Sequence, residues 1–294
     1  MQRSLGKPKT SDLLLANGFT LLLFSFVFVF PLFFSIRYSF FDWTGGRTEN
    51  FIGLGNYARF FRDSSFWNSF AHTLLITAMV AVGQVGIGLV VSVILTLKFV
   101  KLLDFHRTVF FLPVVLSPVV VGLIWSMIYN SRQGLLNILL RALGVESPPL
   151  WLDDPSWVLV SVSLPVIWQY FGLYMVMLLG ALQNIPGSVL ESATIDGANG
   201  WQQMTRIMIP SIYPTFKVAV MLCVSGTLKI FDHIYVLTKG GPGETSMTMS
   251  LYNYTVSFDM MQFSYGSAVS LGMIVITLAI TFLTLKGMGG KRYE

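Results

Sequence analysis

The stretch QNIPGSVLESATIDGANGWQQMTRIMIP, residues 183–210, joins two long apolar segments of the chain. Pro186-Gly187 ends the preceding helix. Ser188 followed three residues later by Glu191 has the spacing of a capping box, which predicts the start of a new helix. Gly197 accepts a left-handed backbone at low cost, so this short helix is expected to stop there.

A second short helix is predicted beyond that turn. Asn199 or Gly200 opens it, and it runs from Trp201 into Pro210. The two helices together carry an apolar face between membrane segments, and exposed apolar surface of this kind needs a cover. From the residues alone, this apolar face could be covered either by a protein surface or by the lipid interface.

The composition excludes several classes of protein. Of the 294 residues, 54% are hydrophobic and 11% are charged, and the mean hydropathy is +0.68. Soluble domains carry about 25% charged residues, so a soluble enzyme, a disordered chain and a nucleic-acid module are all excluded. Cys223 is the single cysteine, which excludes an internal disulfide and a metal site made of paired cysteines. The sequence indicates a small all-α membrane protein that crosses the bilayer several times.

Six apolar segments are long enough to be membrane spans. The fifth is the weakest because it contains Lys217 and Lys229, which lie near its ends and can extend to the interface. Lys229 also precedes Asp232 by three residues, so the two could meet on one helical face. A transmembrane domain over 13–285 is predicted, with spans at about 13–36, 70–97, 108–130, 157–182, 207–230 and 265–285.

The distribution of lysine and arginine predicts the orientation. With the N-terminus inside, the cytoplasmic segments carry ten of these residues, whereas the longer outer segments carry seven. Both termini are therefore expected in the cytoplasm. The cytoplasmic parts include an N-terminal segment at 1–12, the loop at 186–206 and a tail at 286–294.

No pattern in the sequence predicts catalysis or a metal site. His72, His106 and His233 are scattered over different segments, and a structural or incidental role is expected for each. A glycine loop of the Walker type is absent from the sequence. Any ATP hydrolysis that drives this protein is therefore expected on another chain.

The loop resembles a known signature. Glu191-Ser192-Ala193, Gly197, Ile207 and Ile209-Pro210 have the spacing of the cytoplasmic loop of binding-protein-dependent ABC importer permeases. That family has Glu-Ala-Ala, three residues, Gly, nine residues, Ile, one residue and Leu-Pro. This sequence departs from it by a serine for the second-place alanine and an isoleucine for the leucine. The resemblance implies the type I importer fold with a cytoplasmic coupling helix that docks on an ATPase. The implied coupling residues are Glu191, Ser192, Ala193, Asp196, Gly197 and Trp201.

Two further motifs narrow the resemblance. The segment 51–57, FIGLGNY, and the segment 237–242, LTKGGP, are similar to carbohydrate-type permeases, and in particular to the larger permease of the maltose importer in a shorter six-helix form. That similarity implies a sugar importer of the bacterial cytoplasmic membrane. The implied partners are a second permease forming a heterodimer, two ATP-binding subunits, an extracellular solute-binding protein and membrane lipid, without nucleic acid. This chain would bind no cofactor, and ATP and Mg²⁺ would bind to the ATPase chains.

Relatives of this kind place sugar contacts midway through the spans on either side of the loop. The positions implied here are Gln169, Tyr170, Leu173, Cys223, Thr227 and Ile230. An amide and an aromatic hydroxyl suit sugar hydroxyls and the apolar face of a sugar ring, although packing between helices explains the same residue types. Glycerol phosphate, an amino acid or a peptide remain alternative cargoes. A six-span channel is the alternative of another class, and it does not explain the loop.

Overall fold

The computed structural model describes residues 10–97 and 101–289, with side chains from residue 17 onward. Residues 1–9 of the predicted N-terminal segment and 290–294 of the predicted tail lie outside that description. In chain order the elements are α1 Thr10–Phe24, a π-helical turn Ser25–Val29, α2 Phe30–Tyr38, β1 Phe41–Asp42, β2 Asn50–Phe51, α3 Gly55–Arg62, α4 Ser64–Leu95, α5 Leu103–Phe111, a 3₁₀ turn Leu112–Val115, α6 Pro118–Ile128, α7 Leu135–Ala142 and α8 Val158–Gln183. They continue with α9 Gly187–Ile195, α10 Gly200–Gln203, a π-helical turn Met204–Met208, α11 Ile209–Ser211, α12 Tyr213–Thr227, α13 Asp232–Leu237, α14 Met249–Tyr254, a π-helical turn Thr255–Asp259 and α15 Phe263–Gly287.

Four stretches of the described chain are long and apolar enough to cross a membrane as helices, and two bent helix pairs raise that number to six. The four are Asn17–Tyr38, α4, α8 and α15. The predicted third span is not straight, because the pair Leu103–Val115 and Pro118–Ile128 bends by 96°. The chain is also broken at the start of the predicted fifth span, 207–230, where the pair Gly200–Ser211 and Tyr213–Thr227 bends by 64°. Most of the first helical stretch of this pair lies in the loop before the span. Proline explains both breaks, since Pro118 is the first residue and Pro214 the second residue of a new helix, and neither has a backbone N–H.

The chain divides into two compact units, and the first comprises residues up to 63 together with 253–274. Within it, the two-residue ladder of β1 and β2 pairs Phe41 with Phe51. The buried Asn56 amide donates to the carbonyls of Ser39 and Phe41 at 2.9 and 2.8 Å. The motif at 51–57 therefore fixes the segment that follows α2, because its asparagine amide bonds two backbone carbonyls of that segment.

The second unit comprises residues 64–252 and 275 onward, and α4 packed on α8 forms its core. Ile76, Met175 and Leu179 are fully buried there. A β-carbon on Gly88 of α4 would lie 3.0 Å from the backbone nitrogen of Met175. Close approach of two backbones at small residues is typical of helices packed in membranes.

Helix α8 contains a proline, and the structure compensates for it. Pro165 has no N–H to donate to the carbonyl four residues earlier, that of Ser161. The hydroxyl of Tyr129 donates to this carbonyl instead, at 2.8 Å. This bond ties the end of α6 to the first turns of α8.

Candidate functional site

The loop after α8 forms the predicted helix–turn–helix, with one correction at its start. Helix α9 begins at Gly187 with Pro186 at the N-cap, and no side chain caps it. The predicted capping box of Ser188 and Glu191 is therefore wrong, because Ser188 already lies in the first helical turn. The capping box of the loop lies at the second helix. There the Asn199 side chain accepts from the Gln202 N–H and the Gln202 side chain accepts from the Asn199 N–H, both at 2.9 Å.

Gly197 forms the turn between the two helices. Its φ is +83°, the left-handed conformation that its sequence position predicted. Its N–H donates to the Thr194 carbonyl at 3.1 Å, and the Ala198 N–H donates to the Ala193 carbonyl at 2.9 Å. This pair of bonds is a Schellman motif, which satisfies carbonyls that a helix end leaves free.

The helix–turn–helix is braced internally and leaves apolar side chains bare. The Gln203 amide donates to the Thr194 hydroxyl at 2.9 Å and to the Ala198 carbonyl at 3.1 Å, which ties the two helices together. Ile195 is 86% exposed and Trp201 is 71% exposed. An ordered motif with uncovered large apolar side chains is typical of a surface that binds another protein or lies on the lipid interface, the two alternatives that the sequence leaves.

The six predicted coupling residues lie in this motif, with different degrees of exposure. Ala193 is buried, and it anchors the helix. The other five are exposed: Glu191, Ser192, Asp196, Gly197 and Trp201. None of the hydrogen bonds and ion pairs among the described residues uses the Glu191 carboxylate, so this group is available to a partner.

A cavity of about 290 Å³, called here the span cavity, lies among the membrane helices of the second unit. Residues of α4, α8 and α12 and of the segment 229–233 line it, among them Gln84, Tyr170, Tyr174, Thr227, Asp232 and His233. Five of the six predicted substrate-path residues line this one cavity. They are Tyr170, Leu173, Cys223, Thr227 and Ile230.

The sixth predicted residue, Gln169, is not part of the cavity lining. It is fully buried, and its Nε2 donates to the Leu116 carbonyl at 2.7 Å. That bond fixes the amide orientation, so Gln169 Oε1 faces His233 and accepts from its Nε2 at 2.6 Å. Leu116 lies at the sharp bend before α6, where its carbonyl has left the regular helical pattern. Gln169 thus holds the bent helix and α13 in place behind the cavity wall.

Gln84 was missed by the sequence reasoning. Its Nε2 donates to the Val166 carbonyl at 2.7 Å, and its Oε1 accepts from the Cys223 thiol at 3.2 Å. It therefore joins α4, α8 and α12 at the cavity wall. The available signal was a lone amide in an otherwise apolar span, which is typical of a hydrogen bond between membrane helices.

Two charged side chains also line the span cavity. The spacing of Lys229 and Asp232 would let them meet on one face of a continuous helix, but α12 ends at Thr227 and α13 begins at Asp232. Neither residue takes part in the two ion pairs formed among the described residues. The cavity therefore offers one ammonium, one carboxylate, the Tyr170 hydroxyl and apolar walls.

Comparison with known proteins shows the class. The family described as "Binding-protein-dependent transport system inner membrane component" matches residues 84–288. The chain is 36% identical over 277 residues to the probable ABC transporter permease protein YurN of Bacillus subtilis, covering 93% of this chain and 94% of that one. It is 31% identical over 242 residues to the lactose transport system permease protein LacF of Rhizobium radiobacter, covering 81% of each.

The fold agrees with a solved transporter. A bacterial alginate ABC transporter, in complex with alginate pentasaccharide-bound periplasmic protein, contains a chain that matches with a TM-score of 0.80, 21% identity and 96% coverage of both chains. At that identity the likeness shows the fold alone. The protein belongs to the binding-protein-dependent transport permeases, with the type I ABC importer fold. It is a multi-pass membrane component of a transport system.

Proposed function

We propose that this chain is a permease subunit of an ATP-driven importer of oligosaccharides. The observation that carries the proposal is the span cavity, where five residues singled out for sugar contact come together. No hydrogen bond among the described residues occupies the Tyr170 hydroxyl, so it can bind a sugar hydroxyl, while its ring can pack against the face of a sugar. The lactose cargo of LacF and the alginate cargo of the matching transporter support the same class.

The energy for transport comes from partner chains in this proposal. The helix–turn–helix of residues 187–211, called here the coupling helix–turn–helix, docks through its exposed Ile195 and Trp201 on one of two ATP-binding subunits. These subunits bind ATP and Mg²⁺. A second, related permease completes the translocation path, and an extracellular solute-binding protein delivers the sugar. The periplasmic protein in the alginate transporter supports that last partner.

The charge distribution and the length of α8 support the topology proposed here. Its 26 residues span about 39 Å, more than the roughly 30 Å hydrocarbon core. The coupling helix–turn–helix and the segment before Val158 therefore lie on opposite sides of the membrane. The higher density of lysine and arginine on the coupling side favours the cytoplasm there, with both termini inside and the protein in the bacterial cytoplasmic membrane.

Charge in the span cavity distinguishes the alternative cargoes. Lys229 and Asp232 give its lining one charge of each sign. A phosphate cargo such as glycerol phosphate would favour an excess of cationic groups, which this lining lacks. An amino acid or a peptide fits one charge of each sign better than a phosphate does. These cargoes are therefore the alternatives against which the sugar is tested. The alternative of a six-span channel has no support, because the chain belongs to a family of transport permeases.

Deletion of the gene tests the proposal in the native cell. Uptake of labelled lactose, malto-oligosaccharides, chito-oligosaccharides, glycerol phosphate, amino acids and peptides is compared between the wild type and the deletion strain. We expect loss of uptake for at least one sugar and restoration by the intact gene. Loss of uptake confined to glycerol phosphate, amino acids or peptides would contradict the sugar assignment but would still support a role in import.

A further inference from the structure

A second cavity, called here the loop cavity, lies at the end of α8 opposite the coupling helix–turn–helix. Its volume is about 440 Å³, and residues from the end of α6, the segment 129–153 and the segment 236–242 line it. The sequence reasoning assigned it no role. Its polar lining includes Asn130, Ser131, Asp153, Thr238 and Lys239.

One wall of the loop cavity is held by a buried amide. Asn137, 1% exposed, donates to the carbonyls of Asn130 and Ser131 at 3.3 and 3.2 Å. Its Oδ1 accepts from the Trp151 indole N–H at 2.7 Å. The Trp151 ring stacks on Tyr129, with centroids 5.8 Å apart and planes at 28°. The aromatic lining of this wall is thus fixed in position before any ligand binds.

The opposite wall is also rigid. The hydroxyls of Thr238 and Ser246 are hydrogen-bonded at 2.7 Å, and the Ser246 hydroxyl lies 2.6 Å from the Gly241 carbonyl. Lys239 in this wall has φ +50°, a left-handed conformation that disfavours side chains with a β-carbon. Such strained residues persist where the surrounding structure over-determines them and are concentrated at ligand sites.

The charges of the loop cavity are available to a ligand. Asp153 and Lys239 are exposed, and neither of the two ion pairs among the described residues involves them. They are the two charged residues of the lining, so its net charge is zero. A carboxylate, an ammonium group, an amide and a fixed aromatic ring together suit a neutral ligand with many hydroxyls.

The loop cavity adjoins the span cavity through α13. Asp232 and His233 at the start of this helix line the span cavity, and Val236 and Leu237 at its end line the loop cavity. Six helical residues measure about 9 Å, a distance that an oligosaccharide chain can bridge. The two cavities are therefore placed to contact neighbouring parts of one extended ligand.

We propose that the loop cavity is a second saccharide subsite, which binds an outer sugar unit of the oligosaccharide whose other end occupies the span cavity. This inference rests on the sugar cargo proposed above. In the proposed topology the loop cavity faces the side from which the sugar arrives. Asp153 and Lys239 would hydrogen-bond the hydroxyls of the outer sugar unit. A long oligosaccharide would reach these two residues, whereas a disaccharide bound in the span cavity would not.

The test compares chain lengths with the complete importer in cells. The double variant Asp153→Asn, Lys239→Asn removes both charges, and asparagine tolerates the left-handed conformation at 239. The matched control is Glu146→Gln, Arg132→Gln, which changes two exposed charged residues of the segment 129–153 that do not line the cavity. The probes are lactose and malto- and chito-oligosaccharides from disaccharide to pentasaccharide.

We expect the double variant to lower the transport rate of the longest transported sugar by a factor of about ten or more, since the loss of one charge-assisted hydrogen bond alone has an effect of about tenfold. The disaccharide rate and all control rates should stay as in the wild type. Equal rates for the double variant and its control at every chain length would overturn the inference, as would a wild type that transports disaccharides alone. An equal decrease at all lengths with a raised half-stimulating concentration of loaded binding protein would overturn it in favour of protein docking. A wild type that transports none of these sugars would instead refute the proposed function, and the inference with it.

Discussion

Replacing Gly197 by alanine should weaken coupling to the ATPase without affecting insertion into the membrane. The residue has φ +83°, and a β-carbon there would meet no atom within 4 Å. The cost is therefore backbone strain alone, about 1–2 kcal/mol. Such an energy changes an equilibrium about 5- to 30-fold, so the equilibrium constant between the docking geometry and other loop geometries should fall by that factor.

The assay is ATP hydrolysis stimulated by loaded binding protein, with the importer reconstituted in proteoliposomes at equal amounts of each variant. Gly200→Ala is the matched control, because position 200 also has open space but no left-handed backbone. Gly197→Asn should retain more stimulation than Gly197→Ala, since asparagine tolerates the left-handed region. Stimulation of Gly197→Ala equal to that of Gly200→Ala would refute the coupling role of the turn.

Three further predictions have distinct outcomes. Glu191→Ala should abolish stimulated ATP hydrolysis at normal expression, because the carboxylate caps no helix and is free for the ATPase; loss of expression would indicate a structural role instead. In a background whose native cysteine is serine, an impermeant thiol reagent on intact cells should label Ser156→Cys and spare Ser188→Cys, which flank the two ends of α8; the reverse labelling would overturn the topology. Tyr170→Phe should reduce sugar uptake at unchanged thermal stability, whereas Gln169→Ala should lower stability by about 1–3 kcal/mol because it leaves buried groups unpaired; thermal unfolding of the two variants checks this contrast.

Composition and segment length predicted six spans, a number that the described chain reaches when each bent helix pair is one span, but they did not predict the shape of the spans. The predicted third span begins at 108 and contains two prolines, yet the sequence does not say whether a proline kinks a helix or ends it. The structure ends one helix before Pro118 and turns by 96°. At this break the Gln169 amide of another helix bonds the Leu116 carbonyl, and contacts between distant segments are not visible in a local pattern.

The shape of the coupling helix–turn–helix was predicted well because the sequence signals for it are local. A left-handed glycine and a short helix on each side follow from residues within a few positions of each other. The error at Ser188 also has a local cause. Proline at 186 takes the N-cap position itself, which moves the helix start to Gly187 and leaves the serine inside the first turn. Two compatible capping patterns lay in the sequence, and the one at Asn199 is formed.

The candidate sugar site was predicted through the resemblance more than through the residues. The resemblance implied Tyr170 and Thr227 as positions midway through the spans on either side of the loop, and they line one cavity. Gln84, Lys229 and Asp232 line it as well, but nothing in the sequence brings α4 next to the end of α12. The cavity depends on packing at Gly88 and on the break after Thr227, which are properties of the folded chain.

Sugar transport by the purified importer tests the central claim most directly. The tagged chain is purified from its native membrane with its bound partners, reconstituted in liposomes and supplied with the sugar identified in cells. We predict that a separate ATPase co-purifies, that the sugar accumulates only with ATP, Mg²⁺ and loaded binding protein, and that Tyr170→Phe lowers the rate. Accumulation without ATP, or an ATP-dependent flux that no sugar supports, would contradict the account.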